Sequence, residues 1–158
     1  MKHKEKGRQG PRLPGYEVEY LLFGALLAYG NRLQVLGDGV YHEVTTKQWF
    51  LLACLELFET PPTLGDLACA MGCSHQNAKQ LASRLAQKGY VVLQRDSTDA
   101  RRILVTPGPA SEGLRRKYHE KQAAFIQRLF AGVSKQDAAV ALAVVQKIDK
   151  NVKTMQEG

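Results

Sequence analysis

The sequence predicts a mainly α fold with one small β-hairpin (α+β), and three observations predict it. Long apolar stretches without proline lie near both ends of the chain, and serine or threonine residues suited to N-caps stand between them. Two short β-branched runs, YVVL at 90–93 and ILVT at 103–106, flank the polar segment RDSTDARR. Such runs around a polar tip predict two strands joined as a hairpin.

The charge of the chain favours an anionic partner. The 158 residues suffice for one domain with a real core, and the formal net charge is +7. Nucleic acid and a membrane surface are the partner classes that this charge suggests. The first fifteen residues hold five Lys or Arg and one Glu among glycines and prolines. We expect residues 1–15 to be a disordered basic tail.

The chain is expected to be cytoplasmic, with no membrane contact. The tail and the following YLLFGALLAYG resemble a signal peptide, but Glu17 and Glu19 interrupt them and no A-x-A cleavage site follows. The apolar run is also about half the length that spans a bilayer. An odd number of cysteines suits a reducing compartment, and we expect them to be small buried or half-buried hydrophobes without a metal or cofactor: Cys54, Cys69 and Cys73.

The first helix is predicted over residues 16–36. It is apolar on more than one face and therefore needs several packing partners. A capping box of Thr45 and Gln48 opens a second helix, WFLLACLELF, which stops before Pro61. Thr63 and Asp66 repeat this device before LGDLACAM.

The next two helices are predicted to form a helix-turn-helix. The LGDLACAM helix ends at Gly72, and Ser74 caps the next helix, HQNAKQLASRLAQK, which ends at Gly89. Two short helices joined by a tight turn of this kind place the outer face of the second helix in a DNA groove.

The second helix of this pair has an outer face without acidic residues. Its apolar side holds Ala78, Leu81, Ala82 and Leu85. Amides bond adenine edges, and lysine contacts guanine or phosphate, so the polar side suits a major groove. A solvated helix face is the alternative. The candidate DNA-binding residues here are Ser74, Gln76, Asn77, Lys79, Gln80, Ser83 and Arg84.

The hairpin after this helix decides between the two interpretations. The order helix, turn, helix, strand, basic tip, strand is that of a winged helix-turn-helix, predicted here over residues 45–107. Arg95, Arg101 and Arg102 at the tip suit a minor groove or phosphates. We expect Asp99 to pair with Arg101 or to cap the turn, and thereby to orient the guanidinium.

These residues resemble the MarR family of winged-helix transcriptional regulators. The resemblance covers about residues 16–155 and lies in TTKQWFLLACL, TLGDLACAMGCS, KQLASRLAQKGYVVLQRD and DARRILVT. The family's D-x-R wing signature stands at Asp99–Arg101, and V-T resembles its L-T ending. One departure is visible: PGPASEG follows Thr106, where the family has two residues and a glycine before the next helix.

The resemblance implies a homodimer that binds double-stranded DNA at a pseudo-palindromic operator, with repression by steric blocking as the default. The protomers would join through the first helix and the last two. Two helices predicted after Ala110 support this independently. The first runs through LRRKYHEKQAAFIQRLFAG, and the second, opened by Ser134 with Asp137, has in AAVALAVVQKI an apolar stripe too large for a lone C-terminal helix. The expected organisation is one compact domain with the tail at 1–15, dimerisation segments at 16–44 and 108–158, and the DNA-binding region at 45–107.

Small aromatic effectors are a further implication of the resemblance. The aromatic candidates for lining an effector site, with plain core packing as the alternative, are Tyr20, Phe23, Tyr41, His42, Trp49 and Phe50. The peroxide-sensing branch uses a cysteine in the first helix, and this chain has none before Cys54. A metal-responsive regulator is the alternative of the same fold, using His42, Glu43, His119 and Glu120.

Two other classes of function fit the sequence less well. An enzyme is disfavoured, because the sequence has no glycine-rich phosphate loop, H-E-x-x-H, G-x-S-x-G or paired cysteine motif. A protein that binds membrane surfaces or nucleic acid non-specifically through its basic tail is the second. The tail has too few aromatic or aliphatic residues to insert into lipid.

Overall fold

The computed structural model describes residue 15 and residues 17–157, and confirms a mainly helical fold with a two-stranded antiparallel hairpin. The predicted tail, apart from Gly15, lies outside the described residues. Two compact units are present, one ending at Ser111 and the other starting at Glu112. The elements in chain order are α1 (Val18–Asp38), α2 (Thr46–Leu55), α3 (Leu64–Met71), α4 (His75–Gln87), β1 (Val91–Arg95), β2 (Ile103–Pro107), α5 (Ser111–Leu129) and α6 (Lys135–Glu157).

The predicted caps of α2, α3 and α4 are confirmed. Thr45 and Thr63 each accept a hydrogen bond from the backbone three residues on, and Gln48 and Asp66 bond back to the cap N–H groups. Ser74 Oγ accepts from the Asn77 N–H at 3.2 Å. These bonds satisfy N–H groups that a helix leaves without an internal partner.

The boundaries of two helices differ from the prediction. The second helix ends at Leu55 and does not continue through Phe58. After Leu55 the backbone hydrogen bonds span three residues instead of four, because the N–H groups of Leu57 and Phe58 donate to the carbonyl groups of Cys54 and Leu55. The chain then turns toward the hairpin, where the Pro62 carbonyl accepts from Val105 at 2.9 Å. The first helix continues to Asp38, whose carboxylate accepts from the Thr46 N–H at 2.6 Å.

The core of the first unit lies between α2, α3, α4 and the hairpin. Leu residues from each helix meet strand residues there, and the side chains buried to at least 98 % include Leu51, Leu67, Ala78, Ala82, Leu85, Val91 and Val105. The Thr63 segment adds a short antiparallel bridge to Leu104. The hairpin is therefore joined to the start of α3 as well as to the end of α4.

The unusual PGPASEG segment starts α5 through a close backbone contact. Gly108 N–H donates to the Tyr90 carbonyl at 2.9 Å, and Ala110 N–H donates to the Gly89 carbonyl at 3.1 Å. Ser111 Oγ then donates to the Gly108 carbonyl at 2.7 Å. A Cβ on Gly108 would lie 2.3 Å from the Gly89 carbonyl oxygen, so this position requires glycine.

Several helices expose large apolar side chains. In the second unit, Ser134 caps α6 and bonds with Asp137, as predicted. The exposed apolar residues of α6 are Val140, Leu142, Val144, Val145, Val152 and Met155. Those of α1 include Val18, Tyr20, Leu22, Phe23, Leu27, Val35 and Leu36. Among the described residues, each helix is too short or too polar to cross a membrane.

Candidate nucleic-acid interface

The α4 helix separates an apolar side from a polar side. Ala78, Leu81, Ala82 and Leu85 are buried. Of the candidate residues, Asn77 and Ser83 are half-buried, whereas the exposed ones are Ser74, Gln76, Lys79, Gln80 and Arg84. The structure thus places the predicted set on one helix and at its cap, with two amide groups and two cations open to a ligand.

The N-terminal end of α4 combines a capped helix with exposed side chains. Ser74 Oγ accepts from the Asn77 N–H, and its own hydroxyl hydrogen stays available as a donor. A helix N-terminus carries a partial positive charge that favours phosphate. Gln76 and Lys79 lie within the first turns beside it. This end of α4 therefore suits a phosphate next to the groups that would face bases.

The hairpin presents its three arginines at the tip. The strands pair antiparallel with Arg95 opposite Ile103 and Val91 opposite Pro107. Arg95, Arg101 and Arg102 are all exposed. Their cationic groups are therefore accessible to an anionic ligand, as predicted.

Asp99 caps the tip of the hairpin. Its carboxylate accepts from the Arg101 N–H at 3.0 Å, and its carbonyl accepts from the Arg102 N–H at 2.9 Å. Of the two roles predicted for Asp99, the structure shows the turn cap, because within the described part of the chain its carboxylate has no ion pair with the Arg101 guanidinium. The cap fixes the backbone at Arg101, whose side chain has no carboxylate partner among residues 17–157.

Asp96 is a residue of the wing that sequence reasoning missed. Its Oδ1 accepts from Thr98 N–H at 2.7 Å, Thr98 Oγ1 at 2.6 Å and Asp99 N–H at 3.3 Å. Its Oδ2 lies 4.0 Å from Nη1 of Arg102. The Thr98 hydroxyl and N–H bonds, with the Arg102 charge, hold the pKa of Asp96 below its usual value. An aspartate two residues before a threonine is the turn signal that could have identified it.

The predicted effector residues are brought together only in part. Tyr41 is buried and stacks on half-buried Trp49, with ring centroids 5.5 Å apart and an interplanar angle of 16°. Tyr20, Phe23, His42 and Phe50 are exposed. An open depression of about 450 Å³ lies on α1 and is lined by other residues: Asn31, Arg32, Val35 and Leu36.

The residues considered for a metal do not form a cluster. Across residues 15 and 17–157, no three His, Cys, Asp or Glu side chains come together, so His42, Glu43, His119 and Glu120 form no such group. Cys54 is buried and Cys73 is half-buried, as expected, but Cys69 is exposed on α3. Burial raises the pKa of the Cys54 thiol, and Cys73 adds to that shift.

Comparisons with known proteins agree with this geometry. The MarR family model matches residues 42–102. AbsC, a MarR family transcriptional regulator from Streptomyces coelicolor, has a similar structure (TM-score 0.75, 16% identity, 91% of this chain and 99% of AbsC covered). No curated protein matches the sequence.

Two further solved structures resemble the chain. One is S. aureus MepR in a complex with DNA (TM-score 0.70, 17% identity, 87% of this chain and 99% of MepR covered). The other is Bordetella bronchiseptica BpsR, whose DNA binding is regulated by 6-hydroxynicotinic acid (TM-score 0.68, 20% identity, 88% of this chain and 97% of BpsR covered). The MarR resemblance is thus confirmed: the chain has the winged-helix fold of MarR-family DNA-binding transcriptional regulators, and its residues 42–102 match the family model.

Proposed function

We propose that the protein binds double-stranded DNA sequence-specifically as a homodimer and represses transcription by occupying a pseudo-palindromic operator. The observation that carries the proposal is the exposed face of α4, which holds amides and cations but no carboxylate, in a unit that also carries a basic hairpin. The DNA-binding region would be residues 45–107, and residues 16–44 and 108–158 would form the dimer.

In the proposed complex, α4 lies in the major groove. Gln76 and Gln80 are one turn apart, and each can form two hydrogen bonds with an adenine edge, one through its amide oxygen and one through its amide NH2. Lys79 would contact guanine or phosphate, and Arg84 would contact the backbone from the last turn. Asn77 and Ser83 lie at the flanks of this face. Ser74 and the N-terminal end of α4 would receive a phosphate.

The wing would add contacts beside the major groove. Arg95 and Arg101 are exposed, and in the part of the chain that the structure describes neither pairs with a carboxylate. Free guanidinium groups are suited to the negative potential of a narrow minor groove. Asp99 would help by fixing the backbone conformation from which the Arg101 side chain extends.

The dimer is supported by the apolar surface that single protomers leave uncovered. Val140, Leu142 and Met155 of α6 are each more than half exposed, as are Phe23 and Leu27 of α1. Large apolar side chains left exposed to this extent on a helix are typical of an interaction surface, which a dimer interface would cover. A twofold pair of winged helices would bind two half-sites, which explains a pseudo-palindromic operator.

A small aromatic effector is proposed to release the DNA. The support is a physical link between the Tyr41–Trp49 stack and α4: the Lys88 ammonium, just after α4, donates to the Glu43 carbonyl, two residues from Tyr41. A ligand that displaces the stack would shift this carbonyl and the end of α4. BpsR, whose DNA binding responds to 6-hydroxynicotinic acid, shares the fold. A metal as the signal has no cluster to support it among the described residues.

Selection of bound duplexes from a random library, using the full chain, tests the proposal. We expect enrichment of a motif with two inverted half-sites about one helical turn apart, and sedimentation as a dimer at micromolar concentration. Absence of any enriched motif would contradict specific binding. Removal of residues 1–15 tests the alternative class, because a protein that acts through its tail would then lose its affinity for duplexes or anionic vesicles.

Gln80→Ala is expected to relax base preference. Loss of one amide that bonds a base edge costs about 1–3 kcal/mol against the selected site and little against a scrambled duplex. Competition titrations on both duplexes measure the difference. Gln87→Ala is the matched control, because it removes the same group two turns further along α4, away from the end that contacts bases in helix-turn-helix proteins. Equal losses on both duplexes would contradict base recognition by Gln80.

Arg101→Ala is expected to weaken binding to every duplex. Each lost phosphate contact lowers the slope of log affinity against log salt by about one unit per protomer. Thermal stability should hardly change, because the Arg101 side chain is exposed and unpaired among the described residues. Fluorescence titrations at several salt concentrations measure the slope. Lys150→Ala is the control: it removes one cation outside the winged helix and should leave the slope of log affinity against log salt unchanged.

A further inference from the structure

The three wing arginines have different surroundings. Within the described residues, no carboxylate lies within ion-pair distance of Arg95 or Arg101. Arg102 Nη1, in contrast, lies 4.0 Å from Asp96 Oδ2, and the Asp96 side chain is only 14% exposed. Three hydrogen bonds at Oδ1 fix that carboxylate in place. Arg102 therefore faces a carboxylate that is already fixed in position, whereas Arg95 and Arg101 face none in the part of the chain that the structure describes.

The hairpin register places Arg102 on a different face from Arg95. Arg95 pairs with Ile103, and the Asp96 N–H donates to the Arg102 carbonyl at 3.0 Å, so Asp96 and Arg102 are directly opposed. Successive side chains of a strand point to opposite faces. Asp96 and Arg102 thus form a cross-strand pair of opposite charge on the face that Arg95 does not share.

A second contact links this face to α3. Leu104, two residues after Arg102 and on the same face, pairs with Thr63, and the Pro62 carbonyl accepts from Val105. Thr63 holds the Asp66 carboxylate through its hydroxyl at 2.7 Å and its N–H at 2.8 Å. These bonds lower the pKa of Asp66, and the positive charge of Arg102 contributes to the same shift. Arg102 consequently lies on the face of the hairpin that is bridged to the start of α3.

We propose that Arg102 is a positioning residue, which pairs with Asp96 on the hairpin face that is bridged to the start of α3, fixes the direction of the wing relative to α3 and contacts no DNA phosphate. This inference rests on the proposed DNA binding. Because α3 packs against α4, the direction of the wing relative to the recognition helix depends on this link. Arg95 and Arg101 then bind the DNA from a wing that is already oriented.

Salt dependence distinguishes positioning from direct contact. On the selected operator duplex, Arg102→Gln is expected to lower affinity about three- to tenfold, as loss of an orienting ion pair in each protomer of a dimer would. The slope of log affinity against log salt should stay at the parent value, because no phosphate contact is lost. Arg101→Gln, the matched variant, should lower that slope. A slope that falls equally for Arg102→Gln would overturn the inference.

A double-mutant cycle tests the link with the carboxylate. Asp96→Asn keeps the acceptor for Thr98 and removes the charge that faces Arg102. Simple electrostatics predicts tighter DNA binding for this variant, whereas the inference predicts weaker binding. The double variant Asp96→Asn/Arg102→Gln should bind about as well as either single variant. Additive losses would show that Arg102 and Asp96 act independently, which contradicts the inference.

Hydrogen exchange of the DNA-free protein separates this inference from the proposed function. Arg102→Gln should raise the exchange of the Thr98 and Asp99 amides, both of which donate to Asp96, and leave the amides within α4 at parent rates, which shows that the unit is folded. Unchanged exchange at Thr98 and Asp99 would overturn the positioning role even if the parent protein binds its operator. A parent protein that binds no duplex would refute the proposed function, and with it any role of Arg102 in DNA binding.

Discussion

Val145→Glu is expected to convert the proposed dimer into monomers and to lower operator affinity by at least about 100-fold. Val145 is 43% exposed on α6, in line with Ile148 and Val152 at helical spacing. In a twofold interface the substitution would bury two carboxylates without partners, which costs several kcal/mol. A monomer would bind one half-site and lose the contribution of the second.

Sedimentation at micromolar concentration and operator titration measure the two effects. Ala143→Glu is the matched control, because it adds the same side chain to α6 about 160° around the helix from Val145, one turn from Lys147 and two turns from Lys150. That variant should stay dimeric. A Val145→Glu protein that remains a dimer would show that this part of α6 lies outside the interface.

The sequence predicts those parts of the fold that depend on local chemistry. Thr45 with Gln48 and Thr63 with Asp66 are capping boxes in both the sequence and the structure. Gly72 ends α3 with a φ of 62°, a left-handed conformation that favours glycine. Each of these signals lies within four residues along the chain, so the residues that form the bonds are visible together in the sequence.

The features that the sequence does not reveal depend on contacts between distant segments. The end of α2 at Leu55 follows from the path that brings Pro62 beside Val105, over forty residues later in the chain. The pairing of Thr63 with Leu104 likewise joins the start of α3 to a strand that lies far along the chain. The wing arginines look equivalent in the sequence, and only the hairpin register separates their surroundings.

For the candidate site, too, the features that depend on local sequence are predicted, and those that depend on contacts between distant segments are not. The amide and cation face of α4 follows from helical periodicity, and the structure exposes Gln76, Lys79 and Gln80 as this periodicity predicts. Of the aromatic candidates, Tyr41 and Trp49 stack on each other, whereas Phe23 and Phe50 are exposed. Aromatic residues at helical spacing indicate an apolar face but not which surface covers it.

Gly108→Ala is expected to lower the free energy of unfolding by about 3 kcal/mol, a large effect for one methyl group. The added Cβ would lie 2.3 Å from the Gly89 carbonyl oxygen and 2.9 Å from the Gly89 carbonyl carbon. These are backbone atoms whose positions are fixed by the bonds from Gly108 to Tyr90 and from Ala110 to Gly89. The contact cannot be relieved by rotating a side chain, so the link between β2 and α5 must shift.

Thermal unfolding at matched protein concentration measures this loss, and we expect the Tm of Gly108→Ala to fall by about 6–12 °C. Gly113→Ala is the control, because a Cβ at that position within α5 meets no atom within 4 Å. Replacing a helical glycine with alanine stabilises by about 0.5–1 kcal/mol, so this variant should melt slightly above the parent. The two variants carry the same change five residues apart and are expected to shift the Tm in opposite directions. A Gly108→Ala protein that melts at the parent temperature would show that the segment between β2 and α5 adjusts without cost.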